Sequence, residues 1–94
     1  IGADMTPVQL EYRAKLTELI YYPDLTMFRS ILNEANESDK TNSHPYASYL
    51  ILRNLSGAVF GGACEWNYRK WYGKLPLIRE AALRLFNEYP DHME

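Results

Sequence analysis

The chain has 94 residues, of which 47 % are hydrophobic and 23 % are charged, a composition typical of an ordered globular protein rather than a disordered one. Its length allows one domain, because two domains of this combined size could not each bury a core, and its net charge of −2 excludes a uniformly basic surface. The single cysteine excludes an internal disulfide framework and no secretory leader is recognisable, so we expect a cytoplasmic protein.

The first predicted helix begins after Thr6. Thr6, Pro7 and Gln9 form a favourable start, because threonine caps free backbone donors, proline fits the first turn, and the glutamine can complete a capping box. Apolar residues follow at helical spacing, and Pro23 ends the helix.

The second predicted helix begins at the capping residue Asp24. Apolar residues from Leu25 to Ala35 recur at helical spacing, which predicts a short amphipathic helix of about three turns. The following residues, 36–44, include no apolar side chain before the next proline, so we expect an exposed, mobile loop there.

The stretch Pro45–Tyr72 predicts a nearly continuous helix with hydrophobic residues on most sides. Such a helix belongs at the centre of a bundle or against a partner. Asn54, Ser56 and Gly57 form its weakest part, because a glycine alone costs a helix about 1 kcal/mol, so we expect a kink or a break there.

The last predicted helix opens at Leu75 and Pro76 and continues to Phe86, after Gly73 as a candidate C-terminal cap of the helix before it. No segment shows the strict alternation of polar and apolar residues that indicates a half-buried strand. The predicted fold is therefore all-α, a small bundle of four to five helices with a long, kinked central helix.

The boundaries of the folded part follow from these elements. We expect one helical domain over residues 5–90. Residues 1–4 precede a methionine and are expected to be a tag remnant or a disordered N-terminus, and residues 91–94 to be a frayed C-terminal tail.

Three glycines, Gly57, Gly61 and Gly62, lie in a run of small residues in the predicted central helix. Glycines four positions apart let another backbone approach closely, as in pairs of membrane helices. Ser48 and Asn54 interrupt the apolar stretch, so we do not expect a membrane span. The prediction is close helix packing at these glycines, either inside the bundle or across a homodimer interface.

Aromatic and basic residues alternate near the end of the predicted central helix. The eight tyrosines, two tryptophans and three phenylalanines exceed what a bundle of this size can bury, and exposed aromatic residues are typical of protein-binding surfaces. In the alternative interpretation Trp66, Tyr68 and Trp71 lie in the core, with the bases in solvent. We predict a surface for binding another protein, or a second copy in a homodimer, formed by Tyr68, Arg69, Lys70, Trp71, Tyr72 and Lys74.

Basic residues are unevenly distributed along the chain. Residues 44–86 carry six bases and only two acids, whereas acids outnumber bases on both sides of this range. The alternative hypothesis is therefore a nucleic-acid-binding accessory or regulatory factor, in which bases on one side of the bundle hold phosphates. The residues of this alternative site are Arg53, Arg69, Lys70, Lys74, Arg79 and Arg84.

The sequence contains no recognisable catalytic constellation. Cys64 has the apolar neighbours typical of an inert core thiol, and His44 and His92 are far apart in sequence, without further ligands at metal-binding spacing. We therefore expect no enzymatic activity, no metal and no cofactor. The main hypothesis is a small non-enzymatic accessory protein that acts by binding a protein partner or itself.

Overall fold

The computed structural model describes residues 5–93, and all regular secondary structure in that range is helical. A one-turn 3₁₀ helix at Tyr68–Trp71 precedes the last of four α-helices. The α-helices are α1 (Pro7–Tyr21), α2 (Thr26–Glu34), α3 (Ser43–Phe60) and α4 (Leu75–Asn87). The predicted all-α class is confirmed, whereas the prediction for residues 1–4 and for Glu94 lies outside the described residues.

The start of α1 has the predicted capping box. The Thr6 hydroxyl accepts a hydrogen bond from the Gln9 amide at 3.2 Å, and the Gln9 side-chain oxygen accepts one from the Thr6 amide at 3.0 Å. Two of the otherwise unpaired donors at the helix start are thereby satisfied. The helix ends at Tyr21, shortly before Pro23.

The turns before and after α2 are closed by short polar side chains. Asp24 accepts from the Thr26 amide at 2.8 Å at the beginning of α2, and Asn42 accepts from the His44 amide at 3.4 Å at the beginning of α3. Between them, the Asn36 amide donates to the Pro45 carbonyl at 3.1 Å, so the end of α2 lies against the start of α3. The connection between the two helices is therefore at the opposite end of the bundle from the start of α2.

The central helix is shorter than predicted. α3 is the longest helix and contacts the other three, but it ends at Phe60 rather than at Tyr72. Gly61 adopts a left-handed conformation with φ of 75°, and its amide donates to the Gly57 carbonyl at 3.0 Å. This is a C-terminal cap that glycine forms without the steric cost paid by other residues, and a second glycine follows it, so the helix stops.

The helix does not break at the predicted position, because α3 continues through Asn54, Ser56 and Gly57, and a kink there stays a prediction. The break in the helical pattern therefore occurs one turn later than the sequence indicates. Beyond it, residues 61–67 form no regular structure, and Asn67 caps the short 3₁₀ helix by accepting from the Arg69 amide at 3.0 Å.

One hydrophobic core lies between the four α-helices, and the 3₁₀ helix contributes one residue to it. Lys15 is buried beside this core, where its ammonium donates to the Glu34 carboxylate at 2.7 Å; Ser48 donates to the same oxygen at 2.8 Å. The largest fully buried side chains are Trp71, Tyr12, Phe28, Leu16, Ile31, Leu50, Ile51, Leu52, Leu55 and Ile78.

Residues 91–93, predicted as part of a frayed tail, are held against α3. The carbonyl of His92 accepts from the Arg53 guanidinium and from the Asn54 side-chain amide, each at 2.7 Å. The His92 ring lies 2.9 Å from the Glu88 carboxylate in the preceding turn. These contacts pair the carbonyl and the ring of His92, and fraying of the tail stays a prediction.

Candidate functional site

One end of the bundle collects the final turns of α1 and α3 and the first turns of α2 and α4. Trp71 packs against two of these helices: its ring centroid is 4.5 Å from that of Phe28 in α2 and 4.8 Å from that of Phe60 at the end of α3. Arg79 in α4 completes the arrangement by donating a hydrogen bond to the carbonyl of Tyr22, directly after α1. Four helix ends therefore meet around one buried tryptophan.

Most of the large hydrophobic residues exposed among residues 5–93 belong to this end. Leu10 and Leu83, on the flanks of α1 and α4, are the exceptions. Tyr72 is 61 % exposed and Trp66 is 49 % exposed. We define the aromatic end as the exposed side chains of Tyr21, Tyr22, Phe60, Trp66, Tyr72 and Leu77 together with the bases Arg69, Lys70 and Lys74.

Trp71 does not belong to the predicted binding surface. It is 0 % exposed, and its indole nitrogen donates to the Glu65 carbonyl at 3.0 Å. Its position in the core follows from the break after α3, which turns the 3₁₀ helix back against α2. A partner cannot touch Trp71, so the alternative interpretation of this residue as a core residue is correct.

Tyr68 packs between the core and the exposed ring of Tyr72. It is half-buried against the core, its ring meets that of Tyr72 edge to face at 5.2 Å, and the Arg29 guanidinium lies 5.1 Å from its centroid. Tyr72 is thereby held outward on one side of a packed ring, whereas Arg69 and Lys70 are exposed and Lys74 is half-buried. All six predicted partner-binding residues therefore lie at one end, and five of them, all but Trp71, are at least partly exposed.

Ser56 and Glu65, which are not among the predicted site residues, hold the segment between α3 and α4 in place. The Ser56 hydroxyl accepts from the Glu65 amide at 2.9 Å, and the Glu65 carbonyl accepts from Trp71, so the backbone of Glu65 is fixed from both sides. Gly73, with φ of 75°, then turns the chain into α4. The adjacent glycines after Phe60 and the capping type of Asn67 are the sequence signals that could have indicated this turn.

The structure divides the six bases of the alternative nucleic-acid site between two ends of the bundle. Arg53 donates to the His92 carbonyl and lines a groove of about 630 Å³ together with Arg84 and the turn after α4. Lys74 precedes α4 whereas Arg84 lies in its last turn, which places the two about 15 Å apart along the helix axis. The guanidinium of Arg79 donates a hydrogen bond to the Tyr22 carbonyl. Arg69, Lys70 and Lys74 remain together at the aromatic end.

The predicted close packing at glycines does not occur within residues 5–93. A Cβ atom added at Gly57, Gly61 or Gly62 would meet no heavy atom within 4 Å, and all three positions are exposed. Gly61 is explained by its left-handed conformation instead. Packing of these glycines against a second copy stays a prediction.

The candidate reactive residues lie apart. Cys64 is half-buried, and burial raises the pKa of its thiol, with a further increase from Glu37. His44 pairs with Glu11 at 3.1 Å and His92 with Glu88 at 2.9 Å, at separate places. Over residues 5–93, no three histidine, cysteine or acidic residues are grouped so that they could hold a metal ion.

Two further observations concern membrane-spanning helices and similarity to known proteins. Within the described part of the chain, no helix has both the length and the apolar character needed to cross a membrane. The chain matches no protein-family model, no curated protein and no solved structure.

Proposed function

We propose that this protein acts without catalysis, by binding another protein through the aromatic end. The observation that carries the proposal is the concentration of exposed large hydrophobic residues where four helix ends meet. Monomeric proteins rarely expose large contiguous apolar patches unless the patch has a function. Six such side chains, each about half exposed, amount to several hundred Å², whereas one partner in a standard interface buries about 800 Å².

The composition and the support of this surface favour a protein partner. Tyrosine, tryptophan and arginine are the residues most enriched where binding energy is concentrated. Tyr72 rests on the ring of Tyr68, which packs in turn against the core. An aromatic side chain that is already held in position loses little conformational entropy when a partner covers it, so more of its burial contributes to affinity.

Nucleic-acid binding is the second candidate, favoured by one specific observation. Trp66 and Tyr72 are exposed beside Arg69 and Lys70, and rings next to bases can stack on nucleobases while the cations hold phosphates. The separation of Arg53 and Arg84 from this end leaves only a short basic region, so the number of phosphate contacts would be small. Binding in this case would weaken steeply as salt increases.

Site-specific photocrosslinking in cells that naturally make the protein tests the proposal. A photoreactive phenylalanine analogue is placed at Trp66 or, as a matched control, at Leu83, because both side chains are 49 % exposed and only Trp66 belongs to the aromatic end. We expect covalent adducts with another protein from position 66 and few from position 83.

The other outcomes separate the alternatives. An adduct with the mass of two copies would indicate a homodimer, and a nuclease-sensitive adduct would indicate nucleic acid. Equal adduct yields at the two positions would contradict the proposal, because general exposure rather than the aromatic end would then determine the contact.

A further inference from the structure

We propose that the segment bound at the aromatic end is an acidic stretch of a partner protein, in which carboxylates surround one or more large apolar side chains. This inference rests on the proposed function, because it specifies the chemistry of the partner for the same surface. It comes from the way charges are paired, and left unpaired, across the described part of the molecule.

Within residues 5–93, the bases of the aromatic end have no carboxylate partner. Among the described residues, the side-chain ion pairs are Lys15–Glu34, His44–Glu11 and His92–Glu88, all of which lie elsewhere. No carboxylate of residues 5–93 lies within 4 Å of the charged nitrogens of Arg69, Lys70 or Lys74. Three cations on one short segment are therefore available to an external anion.

Glu65, the acid nearest in sequence to these bases, and Asp24 at the start of α2 are used in local turns, whereas Glu80 in α4 forms no ion pair with a base of residues 5–93. Asp24 accepts from the Thr26 amide at 2.8 Å, and Glu65 accepts from the Asn67 amide at 3.1 Å. These carboxylates stabilise the backbone at the start of α2 and before the 3₁₀ helix, so they hold the surface in shape without neutralising its bases. The surface therefore presents cations beside aromatic rings, and it is complementary to carboxylates beside apolar side chains.

A second copy of the chain fits this surface poorly. In a two-fold symmetric dimer the same patch is used by both copies, so Arg69, Lys70 and Lys74 of one copy would share an interface with the same three cations of the other. Like charges brought together across an interface disfavour binding by several kcal/mol. A partner with carboxylates at these positions removes the repulsion and adds up to three ion pairs at the rim of an aromatic centre.

A selection from phage-displayed random peptides of 16 residues provides a defined probe. The purified 94-residue protein is the target, and the acidic content of the selected peptides is compared with that of the unselected library. The best peptide is then measured against wild type, Lys70→Glu, Tyr72→Ser and the control Lys40→Glu, an exposed base in the α2–α3 connection. Circular dichroism checks that each variant is folded.

We expect selected peptides to be enriched in aspartate and glutamate next to tryptophan, phenylalanine or leucine. Affinity should fall about tenfold for Lys70→Glu, because the substitution replaces an attraction by a repulsion, and should not change for Lys40→Glu. Affinity should also fall severalfold between about 50 and 200 mM salt, because exposed ion pairs are screened.

Other outcomes overturn this inference in distinguishable ways. Peptides without acidic enrichment that lose binding with Tyr72→Ser but not with Lys70→Glu would reject the acidic partner and leave the proposed function intact. Peptides that bind Tyr72→Ser as well as wild type, or a selection that enriches nothing, would contradict both. Tighter binding of a 16-nucleotide single-stranded DNA than of the best peptide, lost with Lys70→Glu, would favour the nucleic-acid alternative.

Discussion

Trp71 and Tyr72 are adjacent in the sequence and differ completely in exposure, at 0 % and 61 %. Replacing the buried ring by alanine should cost about 3–5 kcal/mol of unfolding free energy, because the cavity lies between Phe28 and Phe60. Tyr72→Ala should cost about 1 kcal/mol or less, since it loses one edge-to-face contact. Urea unfolding of the two variants measures the difference, and equal losses would contradict the assignment of core and surface.

The two glycines around the end of α3 should respond oppositely to alanine. Gly57 is helical with open space around it, so Gly57→Ala should stabilise the protein by about 0.5–1 kcal/mol. Gly61 has a positive φ, so Gly61→Ala should destabilise it by about 1 kcal/mol.

Thermal or chemical unfolding of both variants at several protein concentrations checks this pair. If Gly57→Ala destabilised the protein, and did so more at high concentration, the glycine would be packing against a second copy. That result would revive the close-packing prediction at an interface between molecules.

At the residue scale, the sequence identified the aromatic and basic segment but could not assign its members. The hydrophobic pattern predicts that residues 66–72 continue the helix. Helical spacing then places Trp66 and Trp71 on different sides of that helix, but it does not show which side is buried. The backbone instead has a turn after Phe60 and a 3₁₀ helix. Which of the aromatic side chains is buried therefore depends on the position at which Ser56 holds the backbone of Glu65. A long-range hydrogen bond of this kind leaves no local pattern.

The segment between α3 and α4 depends on that contact. Ser56→Ala would leave the Glu65 amide without its acceptor in a part-buried place, which should cost about 1–3 kcal/mol. Ser30→Ala, at an exposed serine of α2, is the matched control and should change stability little. Urea unfolding compares them, and a Ser56→Ala protein as stable as the control would show that solvent replaces this hydrogen bond.

Glu34 in α2 accepts hydrogen bonds from Lys15 in α1 and Ser48 in α3. These contacts should make the free energy of unfolding depend on pH. Burial of Glu34 acts to raise its pKa, but hydrogen bonds from Lys15 and Ser48 and the charge of Lys15 act against this and leave the pKa lowered. A carboxyl whose pKa is lower in the folded state contributes stability above its unfolded pKa of about 4.3, and this contribution is lost as pH falls through the folded value.

Glu34→Gln should therefore destabilise the protein at pH 6, and the difference from wild type should shrink as the pH approaches 3. Chemical unfolding at a series of pH values measures it. Glu37→Gln, at an exposed glutamate with no ion pair among those described, should show no comparable dependence. A Glu34→Gln difference that stays constant with pH would mean that the ion pair contributes nothing.

At the element scale, helices with local boundary signals were predicted well. The capping box of α1 and the proline near the start of α4 act within one turn, so they can be recognised in the sequence. The end of α3 was placed too late because the apolar residues after Gly62 continued the hydrophobic pattern. Of those residues, Trp71 packs inward from the 3₁₀ helix whereas Trp66 and Tyr72 are exposed, and hydrophobicity alone does not distinguish this arrangement from a continued α-helix.

At the scale of the whole molecule, the charge asymmetry of the sequence is not preserved as one basic face. The middle of the chain has the excess of bases, but the fold places Arg53 and Arg84 beside Glu88 and Asp91 near the turn after α4. The bases of the 66–74 segment form no ion pair with a carboxylate of residues 5–93. Packing of the helices thus brings together charges from distant parts of the sequence. A sum of charges taken along the sequence does not show this.

The most direct measurement is a map of backbone amide chemical shifts recorded while the best acidic peptide from the display selection is added. The account predicts that the largest shifts fall on Tyr22, Phe60 and residues 66–74, with little change at residues 5–10 and 88–93. Shifts concentrated at the turn after α4, with the aromatic end unaffected, would contradict it.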